Sequence, residues 1–368
     1  MDETVLLGHG SGGSMMKRII DEVFFEAYAG EELRVGDDAA RLEAPEGERV
    51  AFSTDSFVVT PQFFPGGDIG RLAVCGTVND VATSGAVPQF LSCGFILEEG
   101  YPMDKLKRIC ASMAEMAKEA GVRIVTGDTK VVNRGHGDGV FINTSGIGFI
   151  PKGVDLSGAY CKPGDKILVT GTLGDHGITI MSCREELGFS ADLQTDAAPL
   201  NHLIQEVIAA APNTRCFRDP TRGGLASTLN ELAEQSQVDF VIEEDAIPVK
   251  DAVRGACEML GYDIFQVANE GKMVCVVAAD EAEAALAAMK ANKYGVDAAI
   301  IGEVVEKPEA TRVFLCEQDS VRCASWTCSW ASSFRASVRP CNNSFTILDD
   351  ASKSRTKDII VRDTNKKG

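Results

Sequence analysis

The chain has 368 residues, 45% of them hydrophobic and 24% charged, the balance of a globular protein long enough for two domains. Its formal net charge of −18 argues against a general nucleic-acid or anionic-membrane binder, because neutralising phosphates needs basic surface. No stretch approaches the ~20 apolar residues of a membrane span. The start, Met1-Asp2-Glu3-Thr4, lacks the basic and apolar regions of a secretory signal, so a cytoplasmic location without membrane association is expected.

In chain order, Gly8-His9-Gly10-Ser11-Gly12-Gly13 precedes a helix expected over Ser14–Ala29, an arrangement able to offer backbone N–H groups to phosphate. It lacks the Lys-Ser/Thr ending of a P-loop. Arg49–Phe57 and Gln89–Leu97 read as strands, with a helix between them over Asp68–Ser84. A second helix, Asp104–Gly121, leads into a buried strand, Val122–Thr126, expected to end at Gly127-Asp128. Gly139–Ile150 is a further strand. Strands in tandem mixed with helices favour an α+β domain over 1–150.

Pro151, Gly153, Gly158, Pro163 and Gly164 mark a boundary. A second domain, 151–315, opens with a strand at Lys166–Gly171. Helices follow near Ile178–Leu187 and Ala198–Ala210. Arg218-Asp219-Pro220-Thr221-Arg222-Gly223-Gly224 then opens a helix at Leu225–Gln235 and is a second candidate anion seat. Strands are expected at Asp239–Glu243, Met273–Ala278 and Ala298–Val304, with a helix at Asp280–Ala291.

Four acidic motifs punctuate the first third of the chain: Gly36-Asp37-Asp38-Ala39-Ala40, Ser53-Thr54-Asp55-Ser56, Val78-Asn79-Asp80-Val81 and Thr126-Gly127-Asp128-Thr129-Lys130. Gathered carboxylates repel one another unless a cation neutralises them. Hard oxygen ligands suit Mg²⁺, which shares its shell with waters and nucleotide phosphates. The pattern points to a metal–nucleotide site without a Walker loop; the alternative is four separate strand-end turns. Eight of the twelve Cys are scattered singly among apolar neighbours with no CxxC pair, as buried thiols in a reducing compartment would be. All four His are isolated, against a zinc site.

Beyond Cys316 the character changes. Residues 316–368 hold nine Lys/Arg against six Asp/Glu, whereas the first 315 hold 27 against 48. Both Trp residues and the remaining four Cys fall here, and a disordered extension is expected.

Taken together, the motifs resemble the HypE family, the carbamoyl dehydratases of [NiFe]-hydrogenase maturation, over roughly residues 4–315. The resemblance rests on Gly8–Gly13, Gly36–Ala40, Asp55-Ser56-Phe57-Val58-Val59, Asn79-Asp80-Val81-Ala82, Gly127-Asp128-Thr129-Lys130-Val131-Val132, Asp219–Leu225 and Asn269-Glu270-Gly271. It implies a two-domain α+β protein of PurM-like (AIR synthetase-like) architecture that uses ATP to convert an S-carbamoyl cysteine into a thiocyanate, the source of cyanide for the hydrogenase iron. Asp37, Asp38, Asp55, Asp80 and Asp128 would be the Mg²⁺ and phosphate ligands. Gly10, Ser11, Gly12, Asn79, Gly127, Thr129, Asp219, Thr221 and Arg222 would support the nucleotide, with Lys130 and Glu270 as the catalytic pair. Implied partners are a second copy of the chain, a HypF-type carbamoyltransferase and a HypC–HypD type iron scaffold. Two other readings stay open: a superfamily kinase or synthetase acting on a free small molecule, and a catalytically dead assembly subunit.

The chain departs from the family at its end. The family closes on Pro-Arg-Ile-Cys, which this sequence does not contain. Codons compatible with Arg335-Ala336-Ser337-Val338-Arg339 can read Ile-Cys-stop in a shifted frame. A frameshift near Leu315–Cys316 is therefore expected, and no Cys beyond it is assigned as acceptor.

Overall fold

The structure is a computed structural model that describes residues 3–10, 13–28, 42–184, 193–306, 313–317 and 320–325. Ser11, Gly12, Asp37 and Asp38 therefore lie outside the described residues, as does the chain beyond 325.

The first unit begins with α1 (Gly13–Ile19), which runs into a π-helical stretch, Ile20–Phe25, and a last turn, Glu26–Tyr28. The helix expected over this segment is thus bulged. The widened turn carries Phe24, stacked on Phe95 with ring centroids 5.1 Å apart. There follow β1 (Arg49–Phe57), α2 (Ile69–Thr83), β2 (Val87–Glu98), α3 (Met103–Ala120), β3 (Arg123–Val132) and β4 (Val140–Ile150). The Asp68 carboxylate caps α2 by accepting the Arg71 N–H at 2.9 Å. α3 ends at Gly121, which takes the left-handed conformation (φ 73°) that a side chain would strain. Leu106, Ile109, Cys110, Met113 and Met116 form its helical stripe and bury against α2 and the sheet.

The four strands form one sheet in the order β1-β4-β2-β3, with β4 antiparallel to both neighbours and β2 parallel to β3. Among the described residues the helices cover one face only. β3 is longer than expected: the ladder continues through Gly127 and Asp128 to Val132. Alternation along it therefore sends Thr129 into the core and Asp128 and Lys130 to the open face.

The second unit contains β5 (Lys166–Val169), α4 (Asp175–Ser182), α5 (Asn201–Ala210), β6 (Thr214–Arg218), α6 (Gly224–Ser236), β7 (Asp239–Glu243), α7 (Asp251–Leu260), β8 (Val274–Val277), α8 (Ala282–Ala291), β9 (Ala299–Val305), β10 (Val313–Glu317) and β11 (Ser320–Ser325). They form a sheet in the order β11-β10-β7-β9-β5-β8-β6. β8 shows why a central strand here reads as an unbroken apolar run. Val274 and Val276 pack towards Leu225 and Leu229 of α6, while Cys275 and Val277 pack towards α5 and α8 on the other face. The ladder of β10 and β11 carries strand past Leu315, where the aberrant tail was expected to begin.

Side chains from α2 and α5 lock the two units together. The Asn79 amide donates to the Ala198 carbonyl (3.0 Å) and its oxygen accepts from the Leu200 N–H (2.7 Å). Arg71 Nε donates to the Ala197 carbonyl at 2.6 Å, and the Asn201 amide donates to the Ala120 carbonyl at 2.9 Å.

Candidate functional site

Asp55 lies on β1 in register with Thr144, a wholly buried side chain that donates to the Ala73 carbonyl of α2. Asp55 therefore faces α2. Asp80 meets it from that helix, where Ser53 Oγ donates to Asp80 Oδ2 at 3.1 Å. Asp219 arrives from the second unit on the turn between β6 and α6, and Glu270 from the segment leading into β8. Burial pushes the Asp80 carboxyl up to about 7, with the negative charges of Asp219 and Asp55 adding to it. Glu270 is pushed up to about 8, first by burial and then by Asp196, Asp219, Asp55 and Asp80. Four carboxylates from four separate chain segments thus lie within reach of one another's charge at the junction of the units.

Two loops hold that place. The Asn269 amide donates to the Pro220 and Val267 carbonyls, both at 3.0 Å, and its oxygen accepts from the Gly174 N–H at 2.7 Å. Asn269 thereby ties the Asp219 turn to Glu270. The Glu270 N–H donates to Asp196 Oδ1 at 3.1 Å. A side chain on Gly271 would run into the Asp196 backbone, so only glycine allows this approach.

The other expected residues distribute differently. Asp128 and Lys130 share the open face of the sheet, where Lys130 Nζ bonds both Asp128 oxygens at 2.6 and 2.7 Å. This bond holds the Asp128 carboxyl below its ordinary range. The register Ser56–Asn143–Gly94–Asp128 places the pair opposite the face carrying Asp55 and Asp80. Within one chain, then, Lys130 and Glu270 do not share the cleft where they were expected to meet. Asn79 spends its amide on the junction, and Thr129 is buried in the core. Gly127 is needed in β3 because a side chain there would strike the Cys93 carbonyl. Thr221 accepts the Gly224 N–H at the mouth of α6, and Arg222 is exposed beside it. Gly10 closes the turn Leu7–Gly10, in which His9 Nδ1 accepts from the Leu6 N–H. The eight Cys from Cys75 to Cys275 are all free thiols, seven of them buried.

Residues outside every motif were missed: Asp175, Asp196 and Lys272. Ser53 lies within the Asp55 motif but was given no role. Among the described residues, no three His, Cys, Asp or Glu side chains approach closely enough to hold a metal by themselves. No helix of the described residues is long and apolar enough to cross a membrane.

Comparison with known proteins gives this geometry its relatives. Residues 36–150 match the AIR synthase related protein N-terminal domain, and residues 162–314 match its C-terminal domain. The chain is 55% identical over 302 residues to the carbamoyl dehydratase HypE of Azotobacter vinelandii, covering 82% of this chain and 88% of that protein. It is 52% identical over 307 residues to the Escherichia coli K12 protein of the same name, covering 82% and 91%. A crystal structure of a hydrogenase maturation protein HypE in complex with ATP superposes with a TM-score of 0.85 at 47% identity, over 88% of this chain and 97% of that one. A HypE–HypF complex structure matches at a TM-score of 0.73 and 49% identity, over 84% and 99%. The chain belongs to the HypE carbamoyl dehydratases, within the AIR synthase related proteins.

Proposed function

We infer that this chain carries the active site for the ATP-dependent dehydration of an S-carbamoyl cysteine to a thiocyanate. The observation that carries the reading is the convergence of Asp55, Asp80, Asp219 and Glu270 at the junction of the two units. Removing water from an amide requires a poor oxygen leaving group to become a good one. The carbamoyl oxygen attacks the γ-phosphorus of ATP and ADP departs. The nitrogen then loses both of its protons while phosphate leaves with the oxygen, so the carbon ends in a C≡N bond. Glu270, whose carboxyl takes and gives a proton near neutrality, is the group suited to those protons.

The acidic group also fits a divalent cation, because the positive charge that reaches Asp80 is that of Arg218, which acts less than the Ser53 hydrogen bond and is itself paired with Glu231 at 2.6 Å. Mg²⁺ suits this donor set, since it keeps waters and phosphate oxygens and needs few protein carboxylates. Asp55, Asp80 and Asp219 would attract it together with the phosphate oxygens and waters that complete its shell, with Asp37 and Asp38 as further candidates outside the described residues. The ion would neutralise phosphate charge during transfer. Gly10, Ser11, Gly12, Thr221 and Arg222 remain candidates for the nucleotide phosphates.

β1 and β3 are the edges of the first sheet, and its open face exposes Val50, Phe52, Val58 and Ile96. A second copy covering that face and pairing along those edges would bring Asp128 and Lys130 of one chain beside Asp55 of the other. Lys130 thus enters the reaction through a homodimer. The HypE–HypF complex supports a carbamoyltransferase of that type as the partner that loads the cysteine. A HypC–HypD type iron scaffold would receive the cyano group.

The test uses the chain as it stands and a version re-coded after Leu315 in the shifted frame, each with a HypF-type carbamoyltransferase, carbamoyl phosphate and MgATP. The re-coded chain should gain a carbamoyl mass and then lose one water only when ATP is present. The original should hydrolyse ATP without acquiring a cyano group. Water loss without ATP, or phosphorylation of a free small molecule instead, overturns the assignment.

A further inference from the structure

Beside the carboxylate group lies a cavity of about 290 Å³, walled by Arg71, Asp175, Asp196, Lys250 and Lys272. It shares Asp196 with the proposed active site, since Asp196 Oδ1 holds the Glu270 N–H. The other oxygen, Asp196 Oδ2, is buried and has no hydrogen-bond partner. Lys272 Nζ covers it from 3.8 Å, too far for a hydrogen bond, and its side chain is only 12% exposed. The Lys272 stem lies against Gly171, where a side chain would crowd it. Asp175 repeats the pattern: Oδ2 accepts from Thr172 Oγ1 (2.6 Å) and Lys250 Nζ (2.8 Å), while buried Oδ1 has no partner. The two carboxylates feel each other's charge. Such orphaned groups are costly unless a ligand or water completes them.

The chemistry of the missing partner is constrained. An ammonium or guanidinium would add a cation beside Arg71, Lys250 and Lys272. An inorganic phosphate would set an anion on two carboxylates. A neutral amide meets both demands, with N–H donors for the acids and a carbonyl acceptor for the lysine. We propose that this cavity seats the carbamoyl group, with its NH₂ donating to Asp196 Oδ2 and Asp175 Oδ1 and its oxygen accepting from Lys272. The assignment rests on the dehydratase reading above and makes Asp196 and Lys272 substrate-positioning residues of that site. Entry needs only the flexible tip of Lys272 to move off Asp196 and onto the carbonyl oxygen.

Binding of S-carbamoyl-L-cysteine to the full chain, followed by ligand-observed NMR with S-ethyl-L-cysteine as control, tests this directly. ATP affinity is measured on the same samples. The carbamoyl compound should bind and the control should not. Asp196→Asn and Lys272→Met should each weaken binding by about tenfold or more, as expected for a lost charged hydrogen bond, while ATP affinity is kept. Lys272→Arg should restore part of it. Unchanged binding in both variants, or equal binding of the control, overturns the proposal. Loss of ATP binding by the unmodified chain would instead sink the dehydratase reading and leave the cavity's ligand preference standing or falling on the NMR.

Discussion

Glu270 and Asp80 carry a liability that shows in the pH dependence of folding. In the folded chain their carboxyls hold protons up to about 8 and about 7, whereas their ordinary values are 4.5 and 3.8. Folding therefore takes up protons over those intervals, and stability falls as pH rises from each ordinary value through the raised one. Without divalent cations, melting temperature should drop between about pH 5.5 and about pH 8.5 more steeply in the unmodified chain than in Glu270→Gln or Asp80→Asn. Mg²⁺ should flatten the slope of the unmodified chain and leave the variants nearly unmoved. Asp80→Asn should also cut MgATP hydrolysis sharply while remaining folded. Parallel slopes in all three proteins, or full hydrolysis by Asp80→Asn, would remove these carboxylates from the site.

At the scale of elements, α2 does two jobs with consecutive residues: Asp80 faces β1, and Asn79 reaches across to the second unit. Asn79→Ala would leave the Ala198 carbonyl and the Leu200 N–H buried without partners. A loss of about 2–4 kcal/mol in chemical denaturation is expected from two such orphans, with the Asp80 carboxyl still in place. A loss below about 0.5 kcal/mol would mean that water replaces the amide freely. The Asn-Asp pair was legible in the sequence as a candidate motif, but its division of labour was not, because a motif does not say which way each side chain points on a helix. β3 shows the same limit. Gly127-Asp128 looked like a strand end, since Gly and Asp favour turns, yet tertiary pairing with β2 carries the ladder on to Val132 and so fixes the face of Lys130. β6 and α7 were missed altogether: β6 is an edge strand whose five residues include Arg215 and Arg218 and so lack an apolar run, and only Val253, Ala256 and Cys257 of α7 are buried. Asp196 and Lys272 had no signal to give. They lie in different chain segments, and their meeting depends on a glycine contact that local periodicity does not encode.

For the whole molecule, the first sheet divides the catalytic candidates. One face turns Asp55 and Asp80 towards Glu270, and the other carries Lys130 beside exposed Val50 and Phe52. One chain cannot join the two sets without unfolding the sheet, whereas two chains joined along its edges can. A mixing experiment separates these cases, using the re-coded chain so that dehydration can be read. Lys130→Ala and Glu270→Gln should each block dehydration while leaving carbamoylation of the cysteine largely intact, so a thiocarbamate accumulates. Refolded together at equal amounts, half of the dimers pair one variant with the other. If Lys130 of one copy serves Glu270 of its neighbour, each such dimer contains one site with both residues restored. About a quarter of the unmodified activity should then return. Phe52→Glu, introduced in both variants, should abolish the recovery by placing charge on the apolar face, and light scattering should show monomers. No recovery from the mixture, with mixed dimers present, would place Lys130 outside the reaction that Glu270 serves.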